Sequence, residues 1–174
     1  MLEILKYTIP ALIVFFTAFY TLRMLIKNDQ KKRNYELVLK NKSLITPIRL
    51  QAYERLTLFL ERISPDALVM RLNKENRTVN QLQNEMLKTI RSEFDHNLSQ
   101  QIYVSPKAWL MVKHARENTV KLINTTVQEM KPGEPAIKLS RVLLQKVMEE
   151  GQSPTKYAIQ YLKEEVKNFF SEQL

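Results

Sequence analysis

Residues 4–26 read ILKYTIPALIVFFTAFYTLRMLI, and the interpretation of everything after them depends on this stretch. From Tyr7 to Leu22 there is no charged residue, and beyond Arg23 the apolar character resumes in Met24, Leu25 and Ile26. As a helix, the stretch is roughly 34 Å long, against a hydrocarbon core of about 30 Å. Lys6 and Arg23 stand where they can snorkel to opposite surfaces, and Tyr7 and Tyr20 stand where an interfacial aromatic belt falls. Pro10 lies near the start, where a missing backbone donor costs least. A transmembrane helix over 1–27 is therefore expected. Two other readings are a cleavable secretory signal and a buried core helix. The signal is disfavoured by Glu3 and Lys6 before a long apolar core with no A-x-A site after it.

The residues that follow favour membrane over core. Arg23, Lys27, Lys31, Lys32, Arg33, Lys40 and Lys42 face only Asp29 and Glu36 in the same segment. These cations suit anionic lipid headgroups, with Arg23, Lys27, Lys31, Lys32 and Arg33 as the membrane-surface candidates. By the positive-inside rule the N-terminus lies outside and the remainder is cytoplasmic. Residues 28–45 mix these charges with Tyr35, Leu37, Val38, Leu39, Leu44 and Ile45, and read as a basic juxtamembrane stalk that prolongs the membrane helix.

Composition narrows the rest of the 174 residues. Two glycines leave little for hairpin turns, phosphate loops or dinucleotide fingerprints. The absence of cysteine removes disulfides, thiol catalysis and thiolate metal sites. Four pairs, Thr46-Pro47, Ser64-Pro65, Ser105-Pro106 and Ser153-Pro154, place a hydroxyl cap before a proline and mark four helix starts. Lys131-Pro132-Gly133-Glu134-Pro135 is a turn that opens a fifth helix near Pro135, Gly151 suits a helix end, and residues 73–78 read as a loop.

Apolar stripes at helical spacing support these divisions. They are Ile48, Ala52, Leu56, Phe59, Leu60 and Ile63, then Val79, Leu82, Met86, Ile90, Phe94 and Leu98. Next come Trp109, Val112, Val120, Ile123, Val127 and Met130, and later Ala158, Leu162, Val166, Phe169 and Phe170. Residues 135–150 carry the widest apolar surface (Ile137, Leu139, Val142, Leu143, Leu144, Val147, Met148) and are expected to be central. Only residues 101–105 hint at strand alternation, and no heptad pattern is sustained over several turns. The expected class is all-α: an N-terminal transmembrane helix with a basic stalk, followed by a cytoplasmic multi-helix domain over 46–174. The proline-marked breaks argue against one long rod of the kind found in an ATP-synthase peripheral stalk.

Candidate chemistry is sparse. His96 and His114 lack a ligand-bearing neighbour at helical spacing and read as solvated. Glu149-Glu150 and Glu164-Glu165 have Lys146, Lys163 and Lys167 close by, and read as ion-paired helix faces. No G-x-S-x-G, Walker or metalloprotease pattern occurs, so neither enzymatic activity nor a cofactor is expected. The turn within 140–162 resembles a helix-turn-helix only weakly, since Val147 stands where that motif wants a small residue. Arg116 shares a face with Trp109, Val112 and Ile123, and requires either an internal partner or one on another subunit.

The run ITPIRLQAYERL over 45–56, followed by LFLERISP over 58–65, resembles a family of uncharacterised single-pass membrane proteins of Bacteroidota. The likeness covers nearly the whole chain and implies a bacterial inner-membrane setting, but brings no activity or catalytic residues with it. On that helix Leu50 and Leu58 fall away from the apolar face, beside Tyr53 and Arg55. Together with Arg116 these are the partner-binding candidates. The expected role is an accessory or scaffolding subunit of an inner-membrane complex, binding protein subunits of unknown identity. The alternative, motivated by the net charge of +9, is a membrane-tethered nucleic-acid or ribosome binder.

Overall fold

The computed structural model describes residues 2–131, 133–149 and 153–171; the side chains of 2–11, 41 and 42 lie outside the described set. Six α-helices follow one another: α1 (Leu2–Arg62), α2 (Pro65–Leu72), α3 (Val79–Asn97), α4 (Pro106–Gln128), α5 (Ala136–Glu149) and α6 (Pro154–Ser171). A short 3-10 helix, Leu98–Ile102, joins α3 to α4 and takes in part of the stretch that hinted at a strand. The all-α expectation is met, with no strand among the described residues. The chain divides into two compact units, Met1–Pro47 and Ile48–Leu174, and α1 supplies residues to both.

Three of the four hydroxyl–proline pairs open helices as expected. Ser64 Oγ accepts from the Ala67 amide and Ser105 Oγ from the Ala108 amide, each with proline at the first helical position, and Pro154 opens α6. Thr46-Pro47 does not, because α1 runs through it without interruption. Proline in a helix interior removes one i→i−4 bond at a cost of about 3 kcal/mol. Here the orphaned carbonyl belongs to the exposed Ser43, where water can serve it, and the residues that follow are held helical by the core. Gly151, expected at a helix end, lies outside the described residues.

In the unit Ile48–Leu174 the core takes residues from every helix. Leu56, Phe59 and Leu60 of α1 and Ile63 just after it are fully buried with Leu68 of α2, Leu82, Met86 and Ile90 of α3, Ile123 of α4, Leu139 and Leu143 of α5 and Leu162 of α6. Burying each such side chain contributes about 1.5–3 kcal/mol. The stripes are therefore mostly right, but their ends are not. Ile48, Leu98 and Phe170 remain substantially exposed.

Residues 135–150 are not the centre that their apolar surface suggested. Ile137 is exposed and Met148 is 81% exposed, while α5 packs only its Leu139/Leu143 side against α2, α3 and α4. Helix α4 touches α3, α5 and, most extensively, α6. It does so by burying Ala108, Ala115, Thr119 and Thr126, small side chains that let neighbouring backbones approach. Thr119 Oγ1 and Thr126 Oγ1 donate to the carbonyls of Ala115 and Leu122, both at 2.8 Å, so neither hydroxyl is left unpaired.

The loop over 73–78 and the turn before α5 are stitched together. Thr78 and Pro135 form an isolated antiparallel bridge, with the Val79 amide donating to Glu134 O and the Ala136 amide to Arg77 O, both at 2.9 Å. Each helix thus has its first free donor satisfied by the other's entry loop. Asn76 turns the 73–78 loop with φ 63°, a left-handed conformation that asparagine tolerates better than most residues.

No helix is long and apolar enough to cross a membrane among the described residues. The described side chains begin at Leu12, and from there the apolar stretch meets Arg23, Lys27 and Asp29; the first third of the expected span lies outside them.

Phe59→Ala should lower the unfolding free energy by about 3–5 kcal/mol in urea melts, the usual cost of emptying an aromatic site in a core. Pro47→Ala restores a donor inside a continuous helix and should raise helicity and stability by about 1–3 kcal/mol. A helix that truly began at residue 47 would be unchanged or weakened by that substitution.

Candidate partner-binding surface

The five candidates for partner contact occupy three different environments. Arg55 and Leu58 are exposed on α1, Leu58 at 61%, and line a shallow groove of about 390 Å³ whose other wall is Ser92, Glu93, His96 and Asn97 of α3. Leu50 is half-buried. Tyr53 is only 6% exposed and faces inward, so it is part of the packing and is not displayed to a partner. Arg116 lies on another part of the surface.

The groove has an ionic floor that spacing alone did not reveal. Glu93 accepts from Arg62 at 3.3 Å and lies 3.6 Å from Arg71. Arg71 in turn donates to the Arg62 carbonyl at 2.7 Å, satisfying an orphan acceptor at the end of α1. Arg77 does the same for α2, donating to Leu72 O at 2.9 Å. His96 Nδ1 lies 2.7 Å from Ser92 O, a carbonyl that can only accept, so Nδ1 is the donor of this bond. No group of three potential metal ligands gathers among the described residues.

Tyr53 reaches across the core instead. Its hydroxyl donates to Glu165 Oε1 of α6 at 2.9 Å, 112 residues away. Glu165 Oε2 is buried without a hydrogen-bond partner. Burial of the phenol, reinforced by the hydrogen bond to the Glu165 carboxylate and its negative charge, pushes the Tyr53 pKa above its ordinary value. Close by, Arg49 donates from Nε to Tyr103 O at 3.2 Å and lies over the Phe169 ring at 4.6 Å. This cluster fastens α1 to α6 and to the 3-10 segment. Alternation and helical period carry no signal for such pairs, which is why sequence reasoning assigned Tyr53 to the surface.

Arg116 finds an internal partner in an aromatic ring of a neighbouring helix. Its guanidinium sits 4.1 Å from the centroid of Phe94 on α3, and among the described residues it pairs with the neighbouring Glu117 carboxylate at 3.7 Å. The Phe94 ring also stacks on Trp109 at 5.5 Å and meets Phe59 at 5.9 Å. Arg116 therefore closes an aromatic cluster, a contact worth about 0.5–2 kcal/mol. With its side chain 29% exposed, it also borders a second groove, of about 740 Å³, with Arg91, Val120 and Asn124.

The acidic pairs are not neutralised by the lysines beside them. Glu164 accepts from Gln160 and Glu149 from Gln145, each four residues back, while Lys146 reaches Glu129 at 2.7 Å. Glu150 lies outside the described residues. In the turn before α5, the Lys138 ammonium 2.7 Å from Glu134 holds that carboxyl below its usual range.

In the unit Met1–Pro47 the five membrane-surface candidates, Arg23, Lys27, Lys31, Lys32 and Arg33, are all exposed on α1, with Arg23 lying over Phe19 at 5.1 Å. Thr17 and Thr21 donate their hydroxyls to carbonyls one turn back, at 2.9–3.0 Å, which pairs both hydroxyls within the helix.

The molecule is thus an all-helical protein in which one long N-terminal helix passes from an apolar and basic segment into a packed unit of further helices. The chain belongs to the family of unknown function DUF7935, whose model matches residues 1–169. No curated protein and no solved structure matches it.

Tyr53→Phe leaves Glu165 without its donor and should cost about 1–3 kcal/mol near neutral pH. Because the folded-state pKa is raised, the wild-type contribution is complete below the unfolded value of about 10 and fades as pH climbs through the folded value. Urea melts from pH 7 to 11 should show the gap between wild type and variant narrowing at the alkaline end; a constant gap would contradict the assignment.

Proposed function

We propose that this protein is a membrane-anchored helical interaction protein, an accessory or scaffolding subunit of a bacterial inner-membrane complex, with its N-terminus outside and its helical unit in the cytoplasm. The observation that carries this reading is the change of character along α1. Residues 12–22 expose uncharged, mostly apolar side chains, residues 23–33 expose five cations, and residues 52–63 bury their apolar face in the helical unit. One helix thereby joins a lipid-compatible stretch, a headgroup-compatible stretch and a structural core. The span requires residues 4–11 together with 12–26, and it requires Arg23 to snorkel. The paired threonine hydroxyls make the central part compatible with lipid.

The groove around Arg55 and Leu58 is the best surface for a protein partner, because it combines an exposed leucine with arginine and an ion pair already in place. No catalytic residue is assigned in this reading. A nucleic-acid reading finds its footing on α6, where Tyr157 and Tyr161 share a groove of about 640 Å³ with Lys156, Lys163 and Lys167. Glu61 and Glu164 line that same groove and oppose a phosphate backbone, and binding there would have to weaken linearly on a log–log salt plot.

Carbonate washing of membranes should leave the intact chain in the pellet, and protease added outside sealed spheroplasts should spare the helical unit. Purification in mild detergent should recover other membrane-complex subunits with the wild type. Arg55→Glu with Leu58→Ser should lose them while changing thermal unfolding little, since both side chains are exposed. Release by carbonate would refute the anchor, and a wild type that always emerges without other proteins would refute the scaffolding role.

A further inference from the structure

The packing of α3 on α4 leaves an open groove of about 740 Å³ within the unit Ile48–Leu174. Helix α4 lines it from Arg116 to Gln128, always with the same face, and α3 contributes Leu87, Ile90 and Arg91. The α4 wall is straight and roughly 18 Å long, about three helical turns. The floor is apolar: Ile90 is buried, and Leu87 and Val120 are half-buried against the core.

The polar groups along this groove are poised to donate. Arg91 and Lys121 are exposed and join no ion pair among the described residues. The Arg116 guanidinium is held 4.1 Å from the centroid of Phe94, and the Glu117 carboxylate beside it, at 3.7 Å, is too far for a hydrogen bond. Asn124 accepts through Oδ1 from the Gln83 amide at 2.9 Å, which leaves its Nδ2 to donate. The lining thus sets three cations and an amide against one carboxylate.

We infer that this groove docks an acidic helical segment of a protein partner, with apolar side chains along one face and carboxylates beside them. Charge complementarity decides the occupant. Carboxylates only accept, which matches a lining of open donors, and a guanidinium already fixed by Phe94 loses little freedom in binding one. The apolar face of the segment would cover Leu87 and Val120, as in other helix-in-groove contacts. A nucleic acid fits less well, because no lining residue is aromatic to stack a base and the apolar floor would lie against phosphates. The groove shares no lining residue with the one around Arg55 and Leu58, so this contact stands apart from that already proposed.

The chain contains no cysteine, so one introduced thiol reports one place on the surface. Thr125→Cys and Gln128→Cys in the groove, and Met70→Cys on α2, would each be made in the full-length protein purified in mild detergent. Met70 is 85% exposed, so unguided collision favours that position. The probe is a synthetic helical peptide of about 14 residues, enough to span the groove, with leucines on one face, glutamates beside them and a single cysteine. Disulfide yields at 125 and 128 should exceed the yield at 70 several-fold. Arg91→Glu with Lys121→Glu should cut them by at least about tenfold without altering thermal unfolding, since both side chains are exposed. Exchanging the peptide's glutamates for glutamine, or its leucines for serine, should each remove the preference for the groove. Arg55→Glu with Leu58→Ser should leave that preference in place. Equal yields at the three positions, an undiminished yield with the charge-reversed protein or with either exchanged peptide, or loss of the preference in the Arg55/Leu58 variant would each overturn the assignment. So would displacement by a single-stranded oligonucleotide or by phosphatidylglycerol vesicles at lower concentration than unlabelled peptide requires.

Discussion

The helical unit depends on the burial of one face of α1. Leu56, Phe59 and Leu60, with Ile63 just after the helix, are removed from water among residues drawn from every other helix. Their burial also explains how Pro47 can lie inside a helix. The segment after it is held in place by packing, so the missing hydrogen bond is a local cost that the core offsets. The same helix that begins apolar and turns basic therefore ends as the structural centre of a different kind of unit.

Around that core the polar groups are arranged to finish what the helices leave undone. Arg71 and Arg77 serve the open carbonyls at the ends of α1 and α2, and the Thr78/Pro135 bridge serves the open amides at the starts of α3 and α5. Tyr53 and Glu165 place a hydrogen bond to a charged group at the α1–α6 contact, and Arg49 and Arg116 lay guanidinium planes on Phe169 and Phe94. These contacts define which helices sit together. A hydrophobic face alone would tolerate several alternative packings. Arg116 is a case in point, since the partner it needs is an aromatic ring, and its exposed edge still borders a groove.

Membership of a family of unknown function defines kinship and leaves the role to be argued from chemistry. What the surface offers is a basic, exposed helical segment and a groove bordered by Arg55, Leu58 and the Glu93 ion pairs.

The sequence by itself determined the helical class, three of the four hydroxyl–proline starts, the turn before α5 and most of the buried stripes, because capping and apolar period act over a few residues and leave local marks. It could not determine that α1 continues through Pro47, that α4 rather than α5 lies between most of the other helices, or that Tyr53 turns inward. Those outcomes were decided by tertiary structure: whether a proline is tolerated depends on what the following residues pack against, small buried residues such as Ala115 and Thr119 carry no hydrophobic signal, and the carboxylate that captures Tyr53 lies 112 positions away along the chain.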